Sequence, residues 1–210
     1  MIPPIIHHVW PAHDPIPYTF RANLDTWQEH HPEWVHIVWT EADLDEMPMR
    51  NRDLYDQAKT LAPDDWIRWR ADVARLEIVY QHGGVYADMD AESVAPLDPL
   101  LDKGCWFVES PNAHGHATQA VFASEAQHPF MAHLLDTMAE SARRHDDQRI
   151  NHRVGSRFVA RKLQAWTLSP RPEMLPWYWF AGQSIKDRDA GHEPTAPTYV
   201  NHRYFNTSGS

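Results

Sequence analysis

Arg70-Ala71-Asp72-Val73-Ala74-Arg75 and, a little further on, Gly83-Gly84-Val85-Tyr86-Ala87-Asp88-Met89-Asp90 are two pieces of one helix-to-strand passage. Pro63-Asp64-Asp65 opens it with a proline in the first turn and two acids at the positive helix end. Gly83-Gly84 closes it, so a helix is predicted over about Pro63 to His82. Asp65, Arg68, Asp72 and Arg75 recur at helical spacing as one polar stripe, opposite the apolar stripe Trp69, Val73, Leu76 and Tyr80. The run after the glycines predicts a strand from Val85 to Asp90. Its period of two sets Tyr86, Asp88 and Asp90 on one face, and Val85, Ala87 and Met89 on the other.

The flanks repeat the alternation. Upstream, Ile5-Ile6-His7-His8-Val9-Trp10 reads as a strand, and Phe20, Leu24 and Trp27 mark a helix. Trp34 to Trp39 reads as a second strand, followed by one or two short helices between Leu44 and Leu61 interrupted near Pro48. Downstream come a strand at Trp106-Phe107-Val108, a polar loop at Asn112 to Thr118, helices at Pro129 to Arg144 and Asn151 to Trp166, and a late strand at Met174 to Phe180. Residues 181–210 look loop-like. Strands alternating with helices predict an open α/β sheet with mixed strand directions near its edge.

Composition narrows the function classes. The chain has 210 residues, is 42% hydrophobic and holds 10 Trp, enough for one core; a single domain is expected. A net charge of −10 gives no footprint for a polyanion, so nucleic acid is excluded as a partner. Cys105 stands alone, which rules out an internal disulfide framework and a cysteine-based zinc cage and suits a reducing compartment. No run approaches the roughly 20 apolar residues of a transmembrane segment, and Met1-Ile2-Pro3-Pro4 lacks the charged and apolar regions of a secretory signal. The cytoplasm, including the membrane periphery, is the expected location.

Of the three Asp-x-Asp triplets, two have ordinary readings. Asp43-Leu44-Asp45 sits at a helix start, where the macrodipole favours acids, and Asp187-Arg188-Asp189 lies in a polar loop beside its own cation. Asp88-Met89-Asp90 instead ends an apolar strand, where ligands of open α/β sheets bind. Two carboxylates there fit either a solvated strand end or hard ligands for Mg²⁺ or Mn²⁺ carrying a diphosphate. On the preceding helix, Asp72 and Arg75 are placed to face the same cleft. There they would offer an acid for sugar hydroxyls and an arginine for a phosphate or hydroxyl. A surface ladder of weak ion pairs remains a fair account of Asp65 and Arg68.

With Tyr80 between its halves, the motif from Arg70 to Asp90 resembles the signature of the DXD-containing sugar transferases of glycosyltransferase family 32. Similar motifs occur in the catalytic domains of the large clostridial glucosylating toxins. Ile2-Pro3-Pro4-Ile5-Ile6-His7-His8-Val9-Trp10 is similar to that family's first strand. The resemblance implies a GT-A type, Rossmann-like fold with a mixed central sheet. Residues 1–110 would be the nucleotide-sugar-binding half and 111–210 the acceptor side. It implies transfer of a hexose from a UDP- or GDP-sugar to a saccharide or other hydroxyl acceptor, with retention and with Mn²⁺ or Mg²⁺ on the diphosphate. Asp72 and Arg75 would hold the donor sugar, Asp88 would contact ribose and sugar, and Asp90 would bind the metal. Tyr86 and His8 belong to the implied donor site, and Trp10 either stacks near the base or packs in the core. His202 either completes the metal shell or is a surface histidine. The chain ends Asn206-Thr207-Ser208-Gly209-Ser210, without the Ser-Trp that often closes the family.

Other features carry less. His7-His8, His30-His31 and His114-Gly115-His116 lack a third ligand at standard spacing, and neighbours on a strand point to opposite faces; structural roles are expected. The Asn112 to Thr118 loop, Asn112 foremost, either shapes the donor or acceptor site or is ordinary surface. Trp177-Tyr178-Trp179 is expected to pack. Two other functions fit the same donor site: a nucleotide-sugar hydrolase, and a non-catalytic sugar-nucleotide-binding protein.

Overall fold

The computed structural model describes residues 1–111, 113–144, 149–181 and 199–202. Strand β1 (Ile5–Trp10) leads into helix α1 (Tyr18–His30) and strand β2 (Val35–Thr40). Three short helices follow, α2 (Glu41–Glu46), α3 (Arg52–Asp56) and α4 (Ala58–Leu61), rather than one or two. Thr40 starts α2 as half of a capping box with Asp43. The signature helix α5 runs from Trp66 to His82. Pro63-Asp64-Asp65 is therefore a turn before the helix and not its first turn.

Strand β3 (Gly84–Ala87) stops three residues short of the expected end. Asp88, Met89 and Asp90 form a turn, closed by the Ala91 N–H donating to the Asp88 carbonyl at 3.0 Å. That turn hands the chain to β4 (Ala91–Ser93). A 3-10 turn at Asp98–Lys103 precedes β5 (Cys105–Ser110). The expected polar loop is instead the start of the longest strand, β6 (Ala113–Ser124); Asn112 lies outside the described residues. Helix α6 (Pro129–Arg144) falls where its pattern set it. The expected helix from Asn151 is two pieces, α7 (Ile150–Arg153) and α8 (Ser156–Ala165), parted at Gly155. The late strand shrinks to β7 (Glu173–Leu175), followed by a 3-10 turn at Trp177–Trp179, and β8 (Val200–His202) pairs antiparallel with β4.

The main sheet has the order β2-β1-β3-β6-β5-β7. Only β6 runs against the rest: it is antiparallel to both β3 and β5, while the other pairings are parallel. The reversed strand is thus internal, not at the edge as expected. The sheet separates two cores. Tyr86, Phe107 and Phe122 face α5, α6 and α8, whereas Val85, Ala87, Trp106 and Ala123 face Trp27 and the segment from Leu97 to Leu100. Alternation along β3 accounts for the split, since Tyr86 points to one core and its neighbours to the other. Among the described residues no helix is long and apolar enough to cross a membrane.

Candidate active site

The carboxyl end of β3 is where the chemistry collects, and α5 and β6 supply its walls. Arg75, on α5, is buried at 5% exposure. Its Nη2 lies 3.1 Å from Asp72 Oδ1 and its Nη1 lies 3.0 Å from Asp88 Oδ1. The same guanidinium donates to the carbonyls of Ala71 and Gln119, and it sits 4.7 Å above the Tyr86 ring. Tyr86 Oη donates to Asp88 Oδ1 at 2.7 Å. Asp72, Arg75, Tyr86 and Asp88 therefore form one connected network, with the arginine between two acids.

Asp90 and His202 form the second half. His202 Nε2 is 2.9 Å from Asp90 Oδ1, and one ligand atom each of Asp88, Asp90 and His202 fall within 4.8 Å of one another. Strand β8 delivers the histidine: Ala91 pairs with His202, bringing the far end of the chain beside the DXD turn. Two carboxylates and one imidazole suit a divalent ion of the Mn²⁺ type; Mg²⁺, which favours oxygen, would rely on the two acids. The donor set fits the expected metal.

Burial and mutual charge tune these groups. Burial pushes the Asp72 carboxyl up to about 6 against the opposing pull of Arg75. Burial raises Asp88 too, with Arg75 resisting and Asp90 adding to the rise. Burial works against the charge on His202, but Asp90 and Asp88 outweigh it and hold the imidazole above its usual range. Arg75 gains in the same way from Asp88, Tyr86 and Asp72, which overcome its desolvation. The cluster is an array of acids balanced by one arginine, and it favours an added cation.

Gln119 was not foreseen. It is 1% exposed, and its Nε2 donates to Asp72 Oδ1 at 2.6 Å. Its Oε1 is buried with no partner. Strict alternation along β6 would turn Gln119 toward the core of Val121 and Ala123, away from α5. The register of β6 against β5 breaks there: Phe107 pairs with Phe122, but Val108 pairs with Thr118. The resulting bulge re-aims the side chain. Gly155 also belongs to this wall, because a methyl group placed on it would lie 2.9 Å from Asp72 Oδ2.

The remaining sequence candidates are distributed less tightly. His8, at 1% exposure, reaches the site through the backbone, its Nδ1 donating to the Ala87 carbonyl at 2.8 Å. Trp10 ends β1 with Nε1 donating to the Asp14 carbonyl and its ring edge-on to Phe20, 5.7 Å between centroids. Neither contact joins it to the carboxylate network. His7 is buried, with Nε2 donating to the Gly83 carbonyl and Nδ1 accepting from Trp39. His31 bridges to Leu97 and stacks on Trp27. The contacts of His7 and His31 are those of structural polar groups.

An internal antiparallel strand in an otherwise parallel sheet, with an acidic turn and a candidate metal-ligand set at the carboxyl end of the neighbouring β3, defines an α/β fold of the GT-A type. The solved structure of PaToxG glycosyltransferase matches it with a TM-score of 0.64 at 14% identity, over 78% of this chain and 69% of that one. Residues 17–106 match the family described as glycosyltransferase sugar-binding region containing DXD motif, and the chain carries that region. Two relatives in Schizosaccharomyces pombe are inositol phosphoceramide mannosyltransferase 1, 27% identical over 80% of this chain and 49% of the relative, and inositol phosphoceramide mannosyltransferase 3, 26% identical over 90% and 57%. The chain thus spans about half the length of the curated relatives it matches.

Proposed function

We propose that the protein is a metal-dependent glycosyltransferase that moves a hexose from a nucleotide diphosphate sugar to a hydroxyl acceptor. The observation that carries this reading is the clamp of Arg75 between Asp72 and Asp88, set beside the Asp88, Asp90 and His202 ligand atoms. The naming of both relatives as mannosyltransferases makes mannose the first sugar to test.

In this reading Asp88, Asp90 and His202 hold Mn²⁺, or the two acids hold Mg²⁺, and the bound ion supplies Lewis-acid stabilisation of the departing diphosphate. Asp72 accepts hydrogen bonds from hydroxyls of the donor sugar, and Arg75 keeps Asp72 and Asp88 ionised in a buried setting. Tyr86 fixes Asp88 through its hydroxyl, and His8 fixes the Ala87 backbone just before it. Trp10 offers an aromatic face at the end of the neighbouring strand, suited to a base. The bond from the anomeric carbon to the diphosphate oxygen breaks, and its electron pair leaves with the diphosphate. The acceptor oxygen bonds to that carbon and its proton passes to the diphosphate. Asp72 and Asp88 are both tied to Arg75, so neither is poised as a covalent nucleophile, and the retention that the family resemblance implies would then take a front-face route. Residues 1–110 form the donor half, and the segment from 111 onward supplies Gln119, His202 and the acceptor side.

The test is a thermal-shift panel of UDP- and GDP-sugars with Mn²⁺, Mg²⁺ or chelator, followed by product analysis with and without saccharide acceptors. A ligand at 100 times its dissociation constant adds about 2.7 kcal/mol. A metal-dependent shift with one donor, and transfer exceeding hydrolysis, is expected. Turnover to free sugar alone would make it a hydrolase, and binding without turnover would make it a sugar-nucleotide-binding protein.

A further inference from the structure

Helix α1 grips the acidic turn and the strand that follows it. Asn23 Nδ2 donates to the Met89 carbonyl at 2.9 Å, Trp27 Nε1 donates to the Ala91 carbonyl at 2.8 Å, and Thr26 Oγ1 accepts from the Ser93 N–H at 2.9 Å. Residues 23, 26 and 27 share one face of the helix. Their spacing suits the segment they hold, because four residues of helix and two residues of extended chain each cover about 6 Å. Asn23 and Trp27 therefore meet alternate carbonyls. His8 continues the row from β1 by donating to the Ala87 carbonyl, with its ring edge-on to Trp27. The carbonyls of Ala87, Met89 and Ala91 are thus tied to β1 and α1, while the carboxylates at the positions between them, Asp88 and Asp90, are left to Arg75 and His202.

Asn23 is the member of this row that the core does not explain. It is 6% exposed, on the helix face that also buries Phe20 and Trp27. A leucine there would pack with no polar group to satisfy, and asparagine is a weak helix former whose amide is costly to bury without a partner. What the amide secures is the shape of the turn. Ligand atoms of Asp88, Asp90 and His202 lie within 4.8 Å of one another. Two carboxylates that close repel when no ion is bound, and a turn free to open would separate them. A backbone fixed at Ala87, Met89 and Ala91 keeps them gathered, so ion binding does not have to supply that work. The grip of Thr26 and Trp27 on β4 reaches the third ligand as well, through the pairing of Ala91 with His202.

We propose that Asn23, supported by Trp27, is a positioning residue for the metal site, holding the Asp88-Met89-Asp90 turn in the shape that lets Asp88, Asp90 and His202 take one divalent ion. The proposal rests on the metal-dependent reading given above and adds to it two side chains whose hydrogen bonds go to the backbone and not to the carboxylates.

The experiment measures Mn²⁺ binding by the full chain from the electron paramagnetic resonance signal of the free ion, with UDP or GDP present. It compares the unaltered protein with Asn23→Leu, Trp27→Phe and Trp69→Phe. The last is a matched control: Trp69 is also fully buried and its Nε1 also donates to a carbonyl at 2.8 Å, that of Leu54, but in the other core. Asn23→Leu should raise the Mn²⁺ dissociation constant about 10- to 100-fold and Trp27→Phe about tenfold. Trp69→Phe should leave it within about twofold, and nucleotide affinity in chelator should hold within about twofold in every variant. The melting temperature without metal reports the purely structural share, and it should fall in both Trp variants. If Asn23→Leu does not fold, the comparison of Trp27→Phe with Trp69→Phe decides the same question. Unchanged Mn²⁺ affinity in Asn23→Leu and Trp27→Phe, or an equal loss in Trp69→Phe, overturns the proposal and reduces these contacts to packing. Absence of Mn²⁺ binding by the unaltered protein with either nucleotide would instead overturn the metal-dependent reading, and the proposal with it.

Discussion

Arg75 concentrates most of what the site needs in one side chain. It neutralises Asp72 and Asp88, takes the Gln119 carbonyl and covers Tyr86. Its spacing three residues after Asp72 was legible, because helical periodicity alone puts the two on one stripe. The role of Gln119 was not legible, since a bulge decides which way it points. Replacing Gln119 with Leu removes a hydrogen bond to a charged group, a loss of about 1.5–3 kcal/mol. Donor KM should rise roughly 10- to 100-fold with a smaller change in kcat, and Gln119→Glu should recover binding only at low pH, where a proton is shared with Asp72. Steady-state kinetics across pH would show this, and an unchanged KM in the Leu variant would remove Gln119 from the site. Asp90→Ala should lower metal-dependent turnover roughly 100-fold or more and leave the melting temperature nearly unchanged, because Asp90 lies in a turn at the rim of the fold. A folded variant with normal turnover would sink the metal-ligand assignment.

At the level of elements, the passage from α5 to the acidic turn depends on Gly83-Gly84. Gly84 has φ of +97°, and a Cβ there would lie 2.7 Å from the Ile5 carbonyl oxygen on the neighbouring strand. Glycine is required both by the backbone conformation and by the close approach of β1. Gly84→Ala should destabilise the protein by about 3 kcal/mol, read as a lower urea midpoint; a loss under half that size would show that β1 gives way easily. The glycines, the helix and the start of the strand were readable from sequence, but the strand's end was not. Alternating polar and apolar residues continue through Asp90, whereas the ladder to β6 ends near Ala87 and the chain turns to meet β8. Strand β6 itself was hidden, because its first half is polar and looks like a loop until β5 pairs with it, while β3 pairs with the second half.

The whole molecule stands on two cores and a set of histidines buried between them. Burial lowers His7 to about 4 and His8 to about 3. Burial holds both neutral against the opposing pull of the backbone carbonyl to which each donates, and the other nitrogen of His7 accepts from Trp39. The folded values lie below the ordinary value near 6.5, so the unfolded chain takes up protons first as pH falls. Stability is therefore lost from about pH 6.5 down to the folded values, by about 2 kcal/mol per histidine at pH 5. Urea unfolding at pH 7.5 and 5.0 should show this loss, and His8→Gln should reduce the difference by about 2 kcal/mol. An identical pH dependence in the variant would mean that His8 is already protonated in the fold.

Legible in the chain alone were the mixed α/β sheet, the signature helix, the Gly83-Gly84 break after it and the pattern of Asp72, Arg75, Asp88 and Asp90. Local periodicity and turn chemistry encode those features within a few neighbouring residues. The end of β3, the entry of β6 into the middle of the sheet, and the meeting of Gln119 and His202 with residues 47 and 112 positions away became visible in the folded chain. Those outcomes depend on pairing between distant strands, whose register and bulges have no local signature in the chain.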